Sequence, residues 1–557
     1  MSRSRGFALL CLVLFLVLSR PPFWTAHPPN FDFANFALGV ARFALLDHQP
    51  QPPGYPLVIL MAKALAACGL PIVRALYVTA LLGGIAAIFG AYVLGKQLSG
   101  DLGGMLASVL LAIEPVFWYS GVSSPTRIYL ATGVCWLLWC LTGLSRGRTG
   151  LLWTAAGLLA LFAGFRPELA PFFFAPFLIA ARLAGIPWRK IALAGFVCLA
   201  ACLPWLIWIT ASYGSTYRFL YTYYHYFRHH ASTTSALLGA PAEAWQGMLR
   251  QSLLWNALPG AVALVAVLIS KKREGLDRRF VVLAGAYFIP ALFIQLALHA
   301  GGPDHSLGTI TVLCVAAGAL LGTSRVFWPV ALAAAAMPAI SFLPLGTFVR
   351  DLDLLSLRSF ARTQRSLAEM IQGLKDGLRP RDAIIVLNDS PLPGRILESE
   401  LPALVIIALD SAIDPDAAAP PTGWRFFDRH QTALAGGHIL LPSVDRLQIL
   451  CSPAGTQRKW IRERLCARSK CEEDGARLQI EIGAQEALSL PPYTLRTNVI
   501  LEKPSSGVGG SRRSARRRMA SSGTWRRRAR LRSRQTSSGT SKKIASTSQP
   551  NSRAIRM

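Results

Sequence analysis

The stretch that decides the fold runs from Asn30 to Pro56 and reads NFDFANFALGVARFALLDHQPQPPGYP. It follows the first hydrophobic segment, but its charged residues and its prolines before Tyr55 exclude a membrane crossing. Its apolar residues recur at steps of three and four: Phe36, Val40, Phe43 and Leu46. This period predicts an amphipathic helix over 33–46, with one apolar face on the membrane surface, and the prolines then impose an extended path. The stretch is therefore predicted to be an ordered polar platform on one membrane face.

Two polar side chains of this platform are candidates for a functional site. Asp32 lies in an otherwise apolar run, and His48 precedes the proline-rich segment. A carboxylate and an imidazole held at a membrane surface by stiff backbone form a site hypothesis. The alternatives are a helix N-cap for Asp32, a position that aspartate fills well, and a solvated loop residue for His48. The platform residues alone leave both alternatives open.

The composition places most of the chain in a membrane. Of the 557 residues 52% are hydrophobic and only 16% are charged, with a mean hydropathy of +0.38. A soluble protein of this length would carry more charge, so the long apolar runs are predicted spans. The net charge of +29 does not indicate nucleic-acid binding, because residues 503–557 hold sixteen Lys and Arg and no acidic residue. This basic low-complexity tail is predicted to be disordered, since it cannot build a core.

Eleven apolar segments are predicted to span the membrane. The first, Gly6–Ser19, follows a basic N-terminus and is interpreted as a signal anchor. The others are about 75–97, 102–118, 127–144, 150–165, 167–184, 190–210, 252–270, 280–299, 306–323 and 326–345. Several are short for a hydrocarbon core of about 30 Å, so their boundaries are approximate.

The segment Pro56–Leu70 decides the predicted topology. It is apolar, but it is only fifteen residues long and contains Lys63. If it does not span, the basic clusters between the later spans fall on the same side as the basic N-terminus, in agreement with the positive-inside rule. We therefore predict that it is an interfacial or re-entrant part of the first outer loop, residues 20–74.

This topology gathers the polar loops on the extracytoplasmic face of a cytoplasmic (inner) membrane. Besides the platform, the outer loops carry these candidates: Arg127, Arg166, Glu168, His299, Asp304 and His305. A loop over 213–250 is rich in Tyr and His, which suits either an interfacial aromatic belt or a substrate contact. The inner face has only short basic turns, so the chemistry is predicted to take place on the outer side.

Residues 350–502 are predicted to form a small soluble α/β domain, also outside. An amphipathic helix pattern over 355–374 comes first. Strand-like runs follow at 382–387, 403–407 and 438–441. The domain contains three cysteines: Cys451, Cys466 and Cys471. In an oxidising compartment they predict one disulfide with one thiol left over, without selecting the pair.

Several motifs occur in one order over residues 6–345. Asp32 comes early in the first outer loop, and the block Gln51-Pro-Pro-Gly-Tyr-Pro56 follows it. Two spans rich in small residues come next, and the turn Phe165-Arg-Pro-Glu168 comes later. This layout resembles the GT-C class of membrane glycosyltransferases. It is most similar to bacterial relatives of dolichyl-phosphate-mannose protein mannosyltransferase (glycosyltransferase family 39) and of lipid A aminoarabinose transferase.

The resemblance implies transfer of a sugar, with inversion, from a polyprenyl-phosphate donor to a protein, lipid or glycan acceptor. Asp32 would be the general base that deprotonates the acceptor hydroxyl. A phosphate leaving group, with a second pKa of about 6, needs no acid to protonate it, unlike the alkoxide displaced in glycoside hydrolysis. Arg166 is the first candidate to bind the donor phosphate, and His48, Lys63 and Arg127 are further candidates.

The chain departs from the family in two places. Many relatives have a second acidic residue in the second outer loop, which here reads Ser123-Ser-Pro-Thr-Arg127, with Glu114 as the nearest carboxylate. A divalent metal ion is therefore neither assigned nor excluded. Relatives often have Lys before the Pro-Pro pair, where this chain has Gln51. His48 or Lys63 would then take the phosphate-binding role.

The remaining candidates are contacts to donor or acceptor: Tyr55, Glu168, His299, Asp304 and His305. Glu168 has the alternative of pairing with Arg166. The competing function is a polytopic lipid or solute transporter or flippase, although such proteins commonly show repeated halves, and this sequence shows no internal repeat. A non-catalytic membrane scaffold that displays the soluble domain is a third reading, which leaves the proline-rich platform unexplained.

Overall fold

The computed structural model describes residues 3–323 except 236, 270–275 and 300, and residues 356–409 except 388–389. Further described segments are 424–427, 433–435, 438–441, 444–452, 458–459, 462, 466, 471–474, 477–481, 487–490 and 493–497. The predicted span 326–345 and the basic tail 503–557 lie outside the described residues.

The described chain up to residue 323 is a bundle of α-helices. They are α1 (Arg3–Ser19), α2 (Phe31–Ala41), α3 (Pro56–Ala67), α4 (Ile72–Ile113), α5 (Pro115–Ser123), α6 (Ile128–Ser145), α7 (Leu151–Phe165), α8 (Leu169–Leu183), α9 (Trp188–Ser212), α10 (Thr216–Thr234), α11 (Ala242–Ile269), α12 (Arg278–Phe293) and α13 (Leu307–Leu321). Seven of the described helices are long and apolar enough to cross a membrane: α1, α4, α6, α9, α11, α12 and α13. The shorter apolar helices α7 and α8 pack against each other and against α6. The protein is a multi-pass membrane protein.

Helix α4 contains two antiparallel segments rather than one rod. Ser99 and Gly100 leave the helical conformation, with φ of −145° and 84°. After this break, Ser108 Oγ donates a hydrogen bond to the carbonyl of Ile88 at 3.0 Å. The segments approach so closely that a Cβ at Gly104 would lie 2.5 Å from the backbone oxygen of Tyr92. The two halves of α4 therefore correspond to the predicted spans 75–97 and 102–118.

The predicted end of the second of these spans at residue 118 is wrong. The helix ends at Ile113, because Glu114 is extended (φ −68°, ψ 127°) and Pro115 begins the separate helix α5. Glu114 Oε2 accepts a hydrogen bond from the backbone N–H of Phe117 at 2.7 Å. This carboxylate therefore caps α5.

The helix ends fall into two groups, as alternating passes through a membrane require. At one end, Arg146 Nη1 donates to the carbonyl of Gln97 at 2.9 Å, and Arg146 Nε donates to Asp277 at 2.7 Å. At the other end, Arg127 and Arg166 line one cavity together with the platform. This separation agrees with the order of passes that the basic clusters predicted.

The platform consists of the short helix α2 and a closed turn, and the short helix α3 follows it. Helix α2 begins at Phe31, because the Asn30 side chain accepts the N–H of Phe33 at 2.9 Å. The predicted helix over 33–46 is too long, since Arg42 is extended (φ −142°) and α2 ends at Ala41. An antiparallel bridge between Ala44 and Gln49 then closes the turn. Helix α3 has only twelve residues and is not one of the candidate spans.

Helix α2 is buried over 33–40 instead of presenting one face to the membrane and another to water. Phe33 and Phe36 belong to the core of the bundle. Ala34 belongs to the core of the soluble domain. The prediction of an amphipathic helix at the membrane surface is therefore wrong about the environment of α2, because the soluble domain covers the side of the helix that was expected to face water.

The predicted soluble domain is α/β, as expected, within the described residues. It has helices α14 (Leu357–Gly377) and α15 (Gly394–Glu400) and strands β1 (Asp382–Val386), β2 (Val405–Leu409), β3 (Trp424–Phe427), β4 (Ala433–Ala435), β5 (His438–Leu441), β6 (Arg446–Leu450), β7 (Cys471–Asp474), β8 (Arg477–Glu481), β9 (Ala487–Leu490) and β10 (Tyr493–Thr497). The strands form a six-stranded sheet in the order β3-β2-β1-β6-β8-β7 and a four-stranded sheet in the order β4-β5-β10-β9. Strand β1 runs parallel to both β2 and β6. Cys466 and Cys471 form a disulfide, and Cys451 is buried.

Candidate active site

A cavity of about 870 Å³ lies at the platform end of the bundle. Its volume falls in the range of sites that enclose small organic ligands. It is lined by seven of the predicted site residues: Asp32, Tyr55, Arg127, Arg166, Glu168, His299 and His305. They come from segments far apart in the sequence, so the bundle brings them together.

Asp32 lies in the first turn of α2 and faces the cavity. The N-cap alternative for Asp32 is wrong, because Asn30 fills that position. Asp32 is exposed to the cavity, but the protein that surrounds the cavity displaces bulk water, and this desolvation raises the pKa of the Asp32 carboxyl above its usual value. The charges of Arg127 and Arg166 lower this pKa in part, and Asp304 raises it. A carboxylate with a raised pKa is a better proton acceptor than an ordinary aspartate.

Arg166 follows α7 and is almost completely buried. It forms an ion pair with Glu168, which was the alternative role predicted for Glu168. Its Nη1 also donates a hydrogen bond to Thr126 Oγ1 at 3.0 Å. Its guanidinium carbon lies 5.0 Å from the centre of the Tyr55 ring, which holds the plane of the side chain. The Nε of Arg166 has no hydrogen-bond partner among the described residues. The side chain is therefore fixed and still has N–H groups for an anion.

Arg127 precedes α6 and contacts two side chains of the turn before α13. Its Nε lies 3.3 Å from Asp304 Oδ2, and its Nη2 contacts His305 Nε2. The rings of His305 and His299 are 4.9 Å apart, edge to face. His299 Nδ1 also lies 3.1 Å from Thr234 Oγ1. Asp304 is therefore not one of the residues that line the cavity, but it contacts Arg127, which does line it.

The proline-rich loop supplies one wall of the cavity. Gln51, Pro52 and Pro53 line it, followed by Tyr55 at the start of α3. Tyr55 has a φ of 44°, and its ring contacts Phe36 with 5.3 Å between the centres. Burial raises the pKa of the Tyr55 phenol, so the hydroxyl stays protonated. This wall is therefore stiff and mostly neutral.

Two predicted phosphate-binding candidates do not line the cavity. His48 lies against the ring of Tyr226, with 5.6 Å between the ring centres, and Tyr226 itself lines the cavity. Lys63 lies in α3, about two turns beyond Tyr55. The structure therefore places Arg127 and Arg166 in the cavity wall. His48 contacts the wall residue Tyr226 without lining the cavity itself.

Other residues of the wall were missed or only partly foreseen. Tyr223 and Tyr226 come from the segment predicted to be an aromatic loop, whose role the sequence left open; the structure places both residues in helix α10. Gln295 and Thr309 were not considered, although Gln295 is a polar residue in an apolar span and such residues often mark function. Gln295 lies in a π-helical turn, Ile294–Leu298, of the kind that often occurs at functional sites.

The described residues do not offer a metal-binding set. Among them, no group of three or more His, Cys, Asp and Glu side chains is arranged to hold a metal ion. Glu114, the nearest carboxylate to the loop Ser123–Arg127, caps α5. We therefore derive no step through a metal ion.

Comparison with known proteins gives similarity in fold. No protein-family model matches this chain, and no curated protein matches it in sequence. Crystal structures of ArnT from Cupriavidus metallidurans match it, one bound to undecaprenyl phosphate (12% identity, TM-score 0.55) and one in the apo state (13% identity, TM-score 0.52). Each match covers 86% of this chain and 98% of the ArnT chain. The chain therefore has the fold of ArnT, an aminoarabinose transferase of the GT-C class, as the order of its motifs predicted.

Proposed function

We propose that this protein is an inverting glycosyltransferase that moves a sugar from a polyprenyl-phosphate donor to an acceptor on the extracytoplasmic face of the membrane. The observation that carries the proposal is the shared cavity, which is lined by the carboxylate of Asp32 and by the two arginines Arg127 and Arg166. The similar ArnT structure bound to undecaprenyl phosphate supports a lipid-phosphate donor.

The arginines suit a phosphodiester, which carries one negative charge. Arg166 and Arg127 are already partly neutralised by Glu168 and Asp304. As the bond to the sugar breaks, the leaving phosphate gains a second charge, and the N–H groups of both arginines stabilise it. The site thus favours the developing charge over the ground state.

Asp32 accepts the proton of the acceptor hydroxyl. The acceptor oxygen forms a bond to the anomeric carbon of the sugar while the bond from that carbon to the phosphate oxygen breaks. The electron pair of the broken bond leaves with the phosphate, and the proton moves to Asp32. Attack from the side opposite the phosphate inverts the anomeric centre. The acceptor class is a protein, a lipid or a glycan that presents a hydroxyl at this cavity.

The test is turnover of a panel of radiolabelled polyprenyl-phosphate sugars by the purified full-length protein in detergent, with and without a chelator. We expect transfer or release of at least one sugar that depends on Asp32. The chelator arm decides metal dependence. Movement of intact lipid across vesicles without turnover of any donor would overturn the transferase in favour of a flippase.

A further inference from the structure

A buried group of three side chains joins the soluble domain to the proline-rich loop. Gln49 Nε2 donates to Glu398 Oε1 at 2.9 Å, and Arg395 Nη1 donates to Glu398 Oε2 at 2.7 Å. The exposed fractions are 4% for Gln49, 1% for Arg395 and 9% for Glu398. The hydrogen bond from Gln49 has a buried charged acceptor, and a buried carboxylate that loses a donor is left partly unsatisfied, which is costly. The position of Gln49 is therefore firmly tied to helix α15.

Gln49 in turn fixes the loop against α2. Its backbone pairs with Ala44, and the cavity-lining residues begin at Gln51. The loop rests directly on the helix: a Cβ at Gly39 would lie 2.6 Å from Pro50 Cδ. A displacement of Gln49 would therefore move both the cavity wall and its contact with the helix that carries Asp32.

The soluble domain also contacts α2 itself, on the side away from the cavity. Asp32 and Ala34 point about 200° apart around the helix. Asp32 faces the cavity, whereas Ala34 packs with Ile396 and Leu397 of α15. Before the helix, Gln364 Nε2 of α14 donates to the carbonyl of Pro29 at 3.0 Å. The domain therefore holds the chain before, along and after α2.

We propose that Glu398, oriented by Arg395, is a positioning residue for the transfer reaction: through Gln49 it holds the proline-rich loop and α2 so that Asp32 reaches the acceptor hydroxyl. The inference rests on the proposed function and gives the soluble domain a part in it. Glu398 does not contact the reacting atoms; it acts on their geometry.

An exposed ion pair of the same domain provides the matched control. Arg381 Nη2 lies 3.1 Å from Asp445 Oδ1, and both side chains are more than half exposed. Exposed pairs of this kind contribute little to stability. Glu398→Gln and Asp445→Asn make the same carboxylate-to-amide change, one in the buried group and one at the surface. A difference between them reports the buried connection.

The experiment uses the full-length protein in detergent and the substitution Gln49→Met, which removes the hydrogen bond to Glu398 and keeps the length of the side chain. We expect kcat to fall on the order of tenfold, because small misplacements of reacting groups are costly. The melting temperature should fall as well, because the buried Glu398 carboxylate loses a donor, whereas KM for the donor should change little, and Asp445→Asn should leave all three unchanged. A merely structural contact would lower the melting temperature and leave kcat intact.

A reciprocal exchange tests the contact itself. Gln49→Glu places a second carboxylate against Glu398 and should reduce kcat more strongly than Gln49→Met. Adding Glu398→Gln to Gln49→Glu restores one carboxylate and one amide donor, and should recover most of the lost rate. Absence of any recovery would count against a direct connection between the two side chains.

Hydrogen exchange of the amides in residues 42–55 separates this inference from the proposed function. Gln49→Met should accelerate this exchange, and Asp445→Asn should not. Unchanged exchange overturns the inference, as does accelerated exchange with an unchanged kcat. If the wild-type protein turns over no donor, the proposed function fails, and the exchange of residues 42–55 alone then decides whether Gln49 holds the proline-rich loop: acceleration in Gln49→Met supports it, and unchanged exchange overturns it.

Discussion

Two arginine–aspartate pairs lie at opposite ends of the helical bundle. At the cavity end, Arg127 Nε lies 3.3 Å from Asp304 Oδ2. At the other end, Arg146 Nε donates to Asp277 Oδ2 at 2.7 Å. The residue types are the same, and in the sequence both arginines adjoin α6, one before it and one after it.

The difference lies in what else each pair contacts. Arg146 also binds the carbonyl of Gln97, and Asp277 caps α12 by accepting from the N–H of Arg279 at 2.9 Å. Those hydrogen bonds satisfy backbone groups near the ends of helices. Arg127 instead contacts His305 and shares a cavity with Asp32, whose pKa it lowers. An arginine–aspartate pair therefore becomes part of a site only where the fold opens a ligand-sized space beside it.

The largest effect on the rate of transfer is expected at Asp32, which lies at the cavity end of the bundle. Asp32→Asn keeps the size of the side chain and removes the base, so kcat should fall on the order of a thousandfold. Transfer assays with the active donor give the rate, and size-exclusion chromatography in detergent shows that the variant is folded. Wild-type turnover in Asp32→Asn would remove the proposed base.

A smaller effect is expected when the arginines of the two ends are compared directly. Arg166→Lys loses the planar fork that can hold a phosphate, at a cost of about 2 kcal/mol, which is roughly thirtyfold in donor affinity. Arg146→Lys should leave donor affinity unchanged, because Arg146 lies at the opposite end. Titration with undecaprenyl phosphate measures both variants. Equal losses in the two would contradict the assignment of the phosphate site.

The pH dependence of the rate tests the charges around Asp32. Protonated Asp32 cannot accept a proton, so activity is lost as the pH falls through its pKa. Arg127 lowers this pKa, so Arg127→Gln should move the acid limb of the kcat profile to higher pH. Asp304 raises the pKa, so Asp304→Asn should move the limb to lower pH. Shifts in the same direction for both variants would contradict the electrostatic arrangement.

The smallest effect is expected at the far end of the bundle. Asp277→Ala removes the cap of α12 and the partner of Arg146, and should lower the free energy of unfolding by about 1 kcal/mol. Thermal unfolding in detergent measures this loss. The rate of transfer should not change. A loss of activity without a loss of stability would contradict the assignment of a purely structural role to the Arg146–Asp277 pair.

The sequence predicted the parts of the fold that depend on local pattern. Apolar runs longer than about 17 residues can hardly be anything except spans, and the helices of the bundle lie where those runs do. The ends of elements were less accurate, as at Ile113 and Ala41, because caps and close contacts decide them. The soluble α/β domain followed from its alternating pattern, but the pairing of Cys466 with Cys471 did not.

The sequence predicted which types of residue form the candidate site, but only some of the residues that line the cavity. Arg127 and Arg166 both lie beside predicted spans, so a common end of the bundle could be inferred. His48 lies two residues before Pro50 and Lys63 lies seven residues after Pro56, and no local pattern separates these polar residues from Tyr55. Gln295 gave the weak signal of an amide in an apolar span.

By itself, the sequence determined that the chain crosses a membrane many times, that its polar loops collect at one end, and that Asp32 lies on a platform after the first span. Hydrophobic length and charge are local properties, so these features can be read from neighbouring residues. Only the tertiary structure decided that α2 is enclosed between two domains and that Gln49 meets Glu398, 349 residues further along the chain. Such contacts depend on the packing of both domains, and residues so far apart in the sequence do not encode them in any local pattern.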